Sequence, residues 1–136
     1  MKKTALHLAC LLFSTMIITQ ARSQQSSLNG TWIPISQELN GKAFPKEAFQ
    51  NQKLVLTDSS YIVYAEGLDK GTVKYQGNKL DIYGKEGVNF GKHFTAVYKL
   101  KRGKLTICYD LSGSSYPENF ETAGKPNYFL SVFKRG

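Results

Sequence analysis

The chain has 136 residues and a formal net charge of +8, from 18 Lys and Arg against 10 Asp and Glu, and it holds two cysteines. That length fits one domain around one apolar core, and so few cysteines exclude a disulfide-dense scaffold. The positive balance does not form a nucleic-acid footprint. Beyond the first residues the lysines occur mainly singly with acids interspersed, and Lys99, Lys101, Arg102 and Lys104 form the one basic concentration, across an expected turn.

The first 23 residues read as a secretory signal peptide. Lys2 and Lys3 give a positive start, Ala5 to Ile18 is almost wholly apolar, and Ala21 and Ser23 place small residues before a cut at Gln24. A cut after Ala21 is the nearby alternative. A spanning helix needs about 20 apolar residues; this run is shorter, contains His7 and is followed by polar residues. Cys10 lies inside the apolar run rather than at its end, which argues against lipid anchoring there. The expectation is an exported protein, periplasmic or extracellular, with no stable membrane anchor after cleavage. Residues 24–136 then form one domain in which Cys108 is the sole cysteine and His93 the sole histidine.

Beyond the leader, short strands alternate with turn signals. Thr31–Glu38 is β-prone, and Pro34 confines it to an edge or a bulge. Phe44–Phe49 reads as one helical turn with Pro45 at its start. From there the period is two. Leu54 and Leu56 share a face in 53–58, Tyr61–Glu66 is aromatic and β-branched, and Asp58-Ser59-Ser60 reads as the turn between them. Val73 and Tyr75, then Leu80 and Ile82, line one face of the next pair, joined at Gln76-Gly77-Asn78. Phe94, Ala96, Tyr98 and Leu100 align in 93–100, and Leu105, Ile107, Tyr109 and Leu111 in 104–111, across Lys101-Arg102-Gly103. A turn-rich stretch over 112–127 precedes a last strand over 128–135.

These segments predict an all-β fold of about eight antiparallel strands with one short helical turn after the first. Closing the sheet removes its edges, and eight strands make a barrel that side chains fill or that holds one small ligand. A flattened sandwich gives the same alternation, so barrel is the preferred of two readings.

Gly30-Thr31-Trp32 heads the first strand, and the last ends at Arg135. This resembles the Gly-x-Trp opening of lipocalin barrels, with a C-terminal arginine set against the tryptophan. Leu28 to Trp32, Asn40 to Lys42, Gly103 to Tyr109, Tyr116 to Phe120 and Phe129 to Arg135 together resemble a small lipocalin-like domain family of uncharacterised exported bacterial proteins, abundant in planctomycetes. Tyr116 departs from it, since a basic residue is common there. The resemblance implies a lipocalin-like barrel with Trp32 and Arg135 at its base and an exported life. It implies no activity and no functional residue.

No catalytic, metal or cofactor pattern stands out. His93 reads as a surface histidine, since its neighbours Gly91, Lys92 and Phe94 suggest neither an orienting partner nor a nucleophile. One His and one Cys leave a metal site only carboxylates to complete it. Cys108, opposite Leu105, Ile107 and Tyr109, reads as a small buried hydrophobe or as an intermolecular disulfide partner. Glu66, Asp69, Asp81, Glu86, Glu118 and Glu121 are scattered over turns and strand edges, and Asn29-Gly30-Thr31 serves as a turn.

The positive signal is aromatic. Eight tyrosines are present, and Tyr64, Tyr75, Phe94, Tyr98 and Tyr109 fall on the more apolar faces of their strands. They are expected either to line one cavity for a small hydrophobic or aromatic molecule or to fill the barrel; a filled core with no cavity of roughly 300 Å³ would sink the carrier reading. The leading expectation is a non-enzymatic exported binder. The alternative is a protein-binding module, of inhibitor or immunity type, using 86–91 and 112–127 with Phe90, Tyr116 and Phe120 as anchors.

Overall fold

The computed structural model describes residues 27–136; the leader expected over 1–23 lies outside the described residues. Nine strands follow in chain order: β1 (Gly30–Leu39), β2 (Lys42–Ala43), β3 (Lys53–Thr57), β4 (Ser60–Tyr64), β5 (Leu68–Gln76), β6 (Lys79–Gly87), β7 (His93–Lys101), β8 (Lys104–Asp110) and β9 (Tyr128–Arg135). A 3-10 turn, Lys46–Ala48, follows β2, with Pro45 at its N-cap.

Apart from the two-residue β2, a hairpin partner of β1, the strands pair antiparallel in sequence order and β9 returns to β1. The result is a closed eight-stranded antiparallel barrel; the sandwich alternative is excluded by the β1–β9 ladder, which runs from Trp32↔Arg135 to Leu39↔Phe129. Closure covers the edges that β1 and β9 would otherwise present to one another.

Pro34 sits where the register of that ladder shifts, between Pro34 and Ser36. A residue without an N–H fits an irregularity of this kind. On its other side β1 pairs with β3 only over Gly30 to Trp32. The two strands therefore separate beyond Trp32, and the segment carrying Phe44 and Gln52 lies beside that gap.

The two ends of the barrel differ. Three tight turns, at Asp58–Ser59, Gly77–Asn78 and Arg102–Gly103, gather at one end. Arg102 and Gly103 both have positive φ, 54° and 75°, the twist that joins antiparallel strands with two residues. This end is plugged by Trp32, which is fully buried and donates its indole N–H to the Leu28 carbonyl at 2.8 Å. The Arg135 guanidinium lies 4.0 Å from the centre of the Trp32 ring and donates to the Asn29 and Ser27 carbonyls at 2.6 and 2.8 Å. A cation over an aromatic face is worth about 0.5–2 kcal/mol. Longer connections lie at the opposite end.

The longest, residues 111–127, is a strap across the outside of the barrel. Thr95 donates to the Ser115 carbonyl at 2.6 Å, Tyr116 donates its hydroxyl to Asp81, and Lys99 lies 4.5 Å from the Phe120 ring centre. Thr122 then donates to Glu38 at 2.6 Å and accepts the Gly41 N–H at 2.9 Å. The strap thus spans from β6 to the β1–β2 hairpin. Val97 and Cys108, outward-facing cross-strand partners, are buried as a result.

Candidate ligand-binding site

The inward side chains form one cluster around Trp32, Leu56, Val73, Ile82, Leu105 and Ile107, but they do not fill the barrel. A cavity of about 170 Å³ runs from Leu28 and Leu80, near the plugged end, to Asn89 and Leu111 at the other. Its walls are mostly apolar. It is smaller than the roughly 300 Å³ expected of a carrier for drug-sized molecules, and closer to the cavity of about 150 Å³ that takes up one benzene. A second chamber of about 320 Å³ lies at the gap between β1 and β3, lined by Pro34, Gln37, Gln52 and Ser131 among others. The Tyr109 and Phe129 rings, 5.7 Å apart between centres, wall both chambers.

Of the five aromatic residues expected to face inward, Tyr75, Phe94 and Tyr109 line the cavity. Tyr98 belongs to the packed core and meets Tyr75 edge to face, with ring centres 6.4 Å apart. Tyr64 does not face inward. It is 40 % exposed, on the outer face, with the Lys53 ammonium 4.6 Å from its ring centre. Tyr61 takes the inward place, because β3 and β4 join through the two-residue turn Asp58–Ser59, which sets Leu56 opposite Tyr61 and Leu54 opposite Val63. Leu100, aligned by its spacing with the inward residues of β7, lies beyond the core and is exposed.

The polar end of the cavity was not expected from the sequence. Asp69, 7 % exposed, turns its carboxylate inward. Tyr61 donates its hydroxyl to one oxygen at 2.8 Å, and Asn89 donates its side-chain amide to the other at 2.8 Å. Two glycines make this possible by close approach. A Cβ on Gly71 would lie 1.9 Å from the Tyr83 carbonyl oxygen and 2.7 Å from the Tyr61 ring, so the bare backbone there leaves the ring its path to Asp69. A Cβ on Gly84 would lie 1.8 Å from the Asn89 carbonyl oxygen. The β6–β7 loop folds onto that bare backbone, held by Gly84 N–H to Lys92 O and Gly91 N–H to Gly84 O at 2.9 and 3.0 Å.

The phenols feel this environment. Burial, joined by the hydrogen bond to Asp69, holds the Tyr61 hydroxyl well above the usual phenol range. Burial raises Tyr109 likewise, reinforced by the Asp69 charge and by Tyr75, and pushes Tyr75 up to about 12. All three are therefore neutral hydroxyls at physiological pH. Among the described residues, neither Tyr75 nor Tyr109 hydrogen-bonds another side chain through its hydroxyl, and both line the cavity.

The remaining chemistry-bearing residues lie elsewhere. His93 is on the outer surface, its Nε2 2.8 Å from Asp81 and its ring stacked on Tyr83 at 4.6 Å. It thus has an acidic partner that its chain neighbours did not suggest, supplied by the adjacent strand. Among the described residues no three His, Cys, Asp or Glu side chains converge on a metal position.

Cys108 is fully buried, and burial pushes its thiol up to about 11, with Glu38 and Asp110 adding to the rise. Buried beneath the strap and protonated, it is not placed to bridge to a second chain. The native protein is expected to resist thiol reagents at neutral pH and to react at least about a hundredfold faster once unfolded in urea. Equal rates in the two states would show that the strap does not protect it.

Tyr116 and Phe120, considered as exposed anchors, are half-buried against the barrel and engaged by Asp81 and Lys99. Phe90 alone of the three projects freely, at 73 % exposure. No protein-family model matches this chain, and no curated protein matches it.

Proposed function

We propose that the protein is a lipocalin-like binder whose barrel holds one small, largely apolar molecule. The observation that carries this reading is the open interior cavity of about 170 Å³ with three phenols and a carboxylate facing it. Apolar walls with a few convergent polar groups are the ordinary make-up of a small-molecule site. An occupant confined to this chamber is limited to about one ring with a short substituent; the adjoining chamber of about 320 Å³ behind Tyr109 and Phe129 gives room for a larger one. The signal-like segment before residue 24 supports a role outside the cytoplasm. A loop-based protein-binding role loses two of its three anchors to the strap contacts.

Titration of the purified protein with fluorobenzene and 4-fluorotoluene, followed by fluorine NMR, tests the reading. Saturable binding is expected, and Val73→Phe, which puts a ring into the cavity, is expected to weaken it at least about tenfold. Wild-type protein that saturates with no one-ring probe of any polarity would overturn it.

A further inference from the structure

We propose that the ligand carries a protonated amine, held by the Asp69 carboxylate at the polar end of the barrel cavity; this rests on the binding reading above. Asp69 is a buried acid whose two oxygens each accept one neutral donor, the Tyr61 hydroxyl and the Asn89 amide. A carboxylate offers about four lone-pair positions, so two stay open. Among the described residues the only ion pair is His93 with Asp81, on the outer surface. None of the described lysines, arginines or histidines forms an ion pair with Asp69. A buried charge without a counter-ion is costly, and proteins ordinarily pair it or complete it with a ligand.

The surroundings suit an ammonium better than a neutral donor. An ammonium has three N–H groups and no acceptor. One can meet Asp69, and the Tyr109 hydroxyl oxygen, on the cavity wall and close enough to feel the Asp69 charge, can accept another. The rest of the wall, including Leu56, Val73, Ile82 and Ile107, accepts an apolar body. An anionic head would meet the Asp69 charge directly and is disfavoured. The chain's overall positive charge does not oppose this, since charge beyond about 8 Å is largely screened at physiological salt.

The ligand class is therefore a small primary or secondary amine on an aromatic ring or a compact branched hydrocarbon. Fluorine NMR titrations of wild-type protein with 4-fluorobenzylamine, 4-fluorobenzyl alcohol and 4-fluorotoluene separate the possibilities. The amine is expected to bind about ten- to a hundredfold tighter than either neutral analogue, the worth of a hydrogen bond to a charged partner. Asp69→Asn is expected to erase that preference while leaving the toluene affinity within about threefold. Neutral probes binding as tightly as the amine would overturn the amine assignment and leave the small-ligand reading standing. An amine preference that survives in a folded Asp69→Asn protein would place the cation elsewhere and overturn it too. Saturation by none of the three would overturn both. The wild-type comparison decides the matter even if the variant fails to fold.

Discussion

Gly71→Ala is expected to destabilise the barrel by about 3 kcal/mol, the upper part of the range for overpacking. The added carbon would meet a backbone oxygen at 1.9 Å and an aromatic ring at 2.7 Å. The ring can swing aside, but the Tyr83 carbonyl is fixed in the β5–β6 ladder, where Gly71 stands opposite Gly84 next to a register shift. The strands must part or the ladder must slip. For a domain of this size the melting temperature should fall by roughly 10–20 °C. The local consequence is as informative. Moving the Tyr61 ring breaks its hydrogen bond to Asp69 and changes the shape of the cavity, so one-ring probes should bind more weakly in whatever fraction stays folded. Thermal unfolding within about 2 °C of wild type would show that this approach is not tight.

Trp32→Ala is expected to cost about 3–5 kcal/mol, the usual toll for truncating a buried aromatic ring. Trp32 is fully buried at the plugged end, and three interactions depend on it: its N–H to Leu28 O, the Arg135 guanidinium over its face, and its backbone ladders to β3 and β9. Only the first two go with the side chain. Arg135 would keep its bonds to the Ser27 and Asn29 carbonyls while losing the surface beneath it. Urea unfolding followed by circular dichroism measures the loss; a change under about 1 kcal/mol would mean that the plug contributes little. The lost ring also leaves a void next to Leu28, which itself lines the barrel cavity, so weakened probe binding is expected as well.

How much was legible in the sequence depends on what a period of two can decide. Alternation identified the strands and, for Val73, Tyr75, Leu80, Ile82, Phe94 and Tyr98, the inward face. It failed at β4 because Tyr61 and Tyr64 are three apart and so point to opposite sides, and both look suitable for a core. The turn decides between them. Reading Asp58-Ser59-Ser60 as a three-residue turn sets Leu56 against Ile62 and draws Tyr64 inward; the actual two-residue turn sets Leu56 against Tyr61. A slip of one residue reverses every side chain on the strand.

Asp69 was hidden for a different reason. Gly71 breaks the apolar pattern set by Val73 and Tyr75, but the strand runs on past it to Leu68. Carrying the alternation back from Tyr75 and Val73 through Gly71 lands on Asp69, which was the available signal. Asn89 had none. It reaches the cavity from a loop whose path is set by the bare backbone of Gly84, and loop paths carry no periodicity. Trp32 and Arg135 are the opposite case, since the two ends of the chain give them away together.

The seam between β1 and β9 also dictates when this protein can exist. Its partners are separated by nearly the whole described chain, and each half of the seam is an unsatisfied edge until the other arrives. A ribosome that has produced everything up to the strap has still made only an open, curled sheet. Its first strand waits for Tyr128–Arg135, and the roof over Cys108 is not yet tied down at both ends. Long-range closure of this kind is slow and leaves edges exposed meanwhile. The barrel cavity is thus the last thing to form, appearing whole when Tyr128–Arg135 docks rather than growing strand by strand.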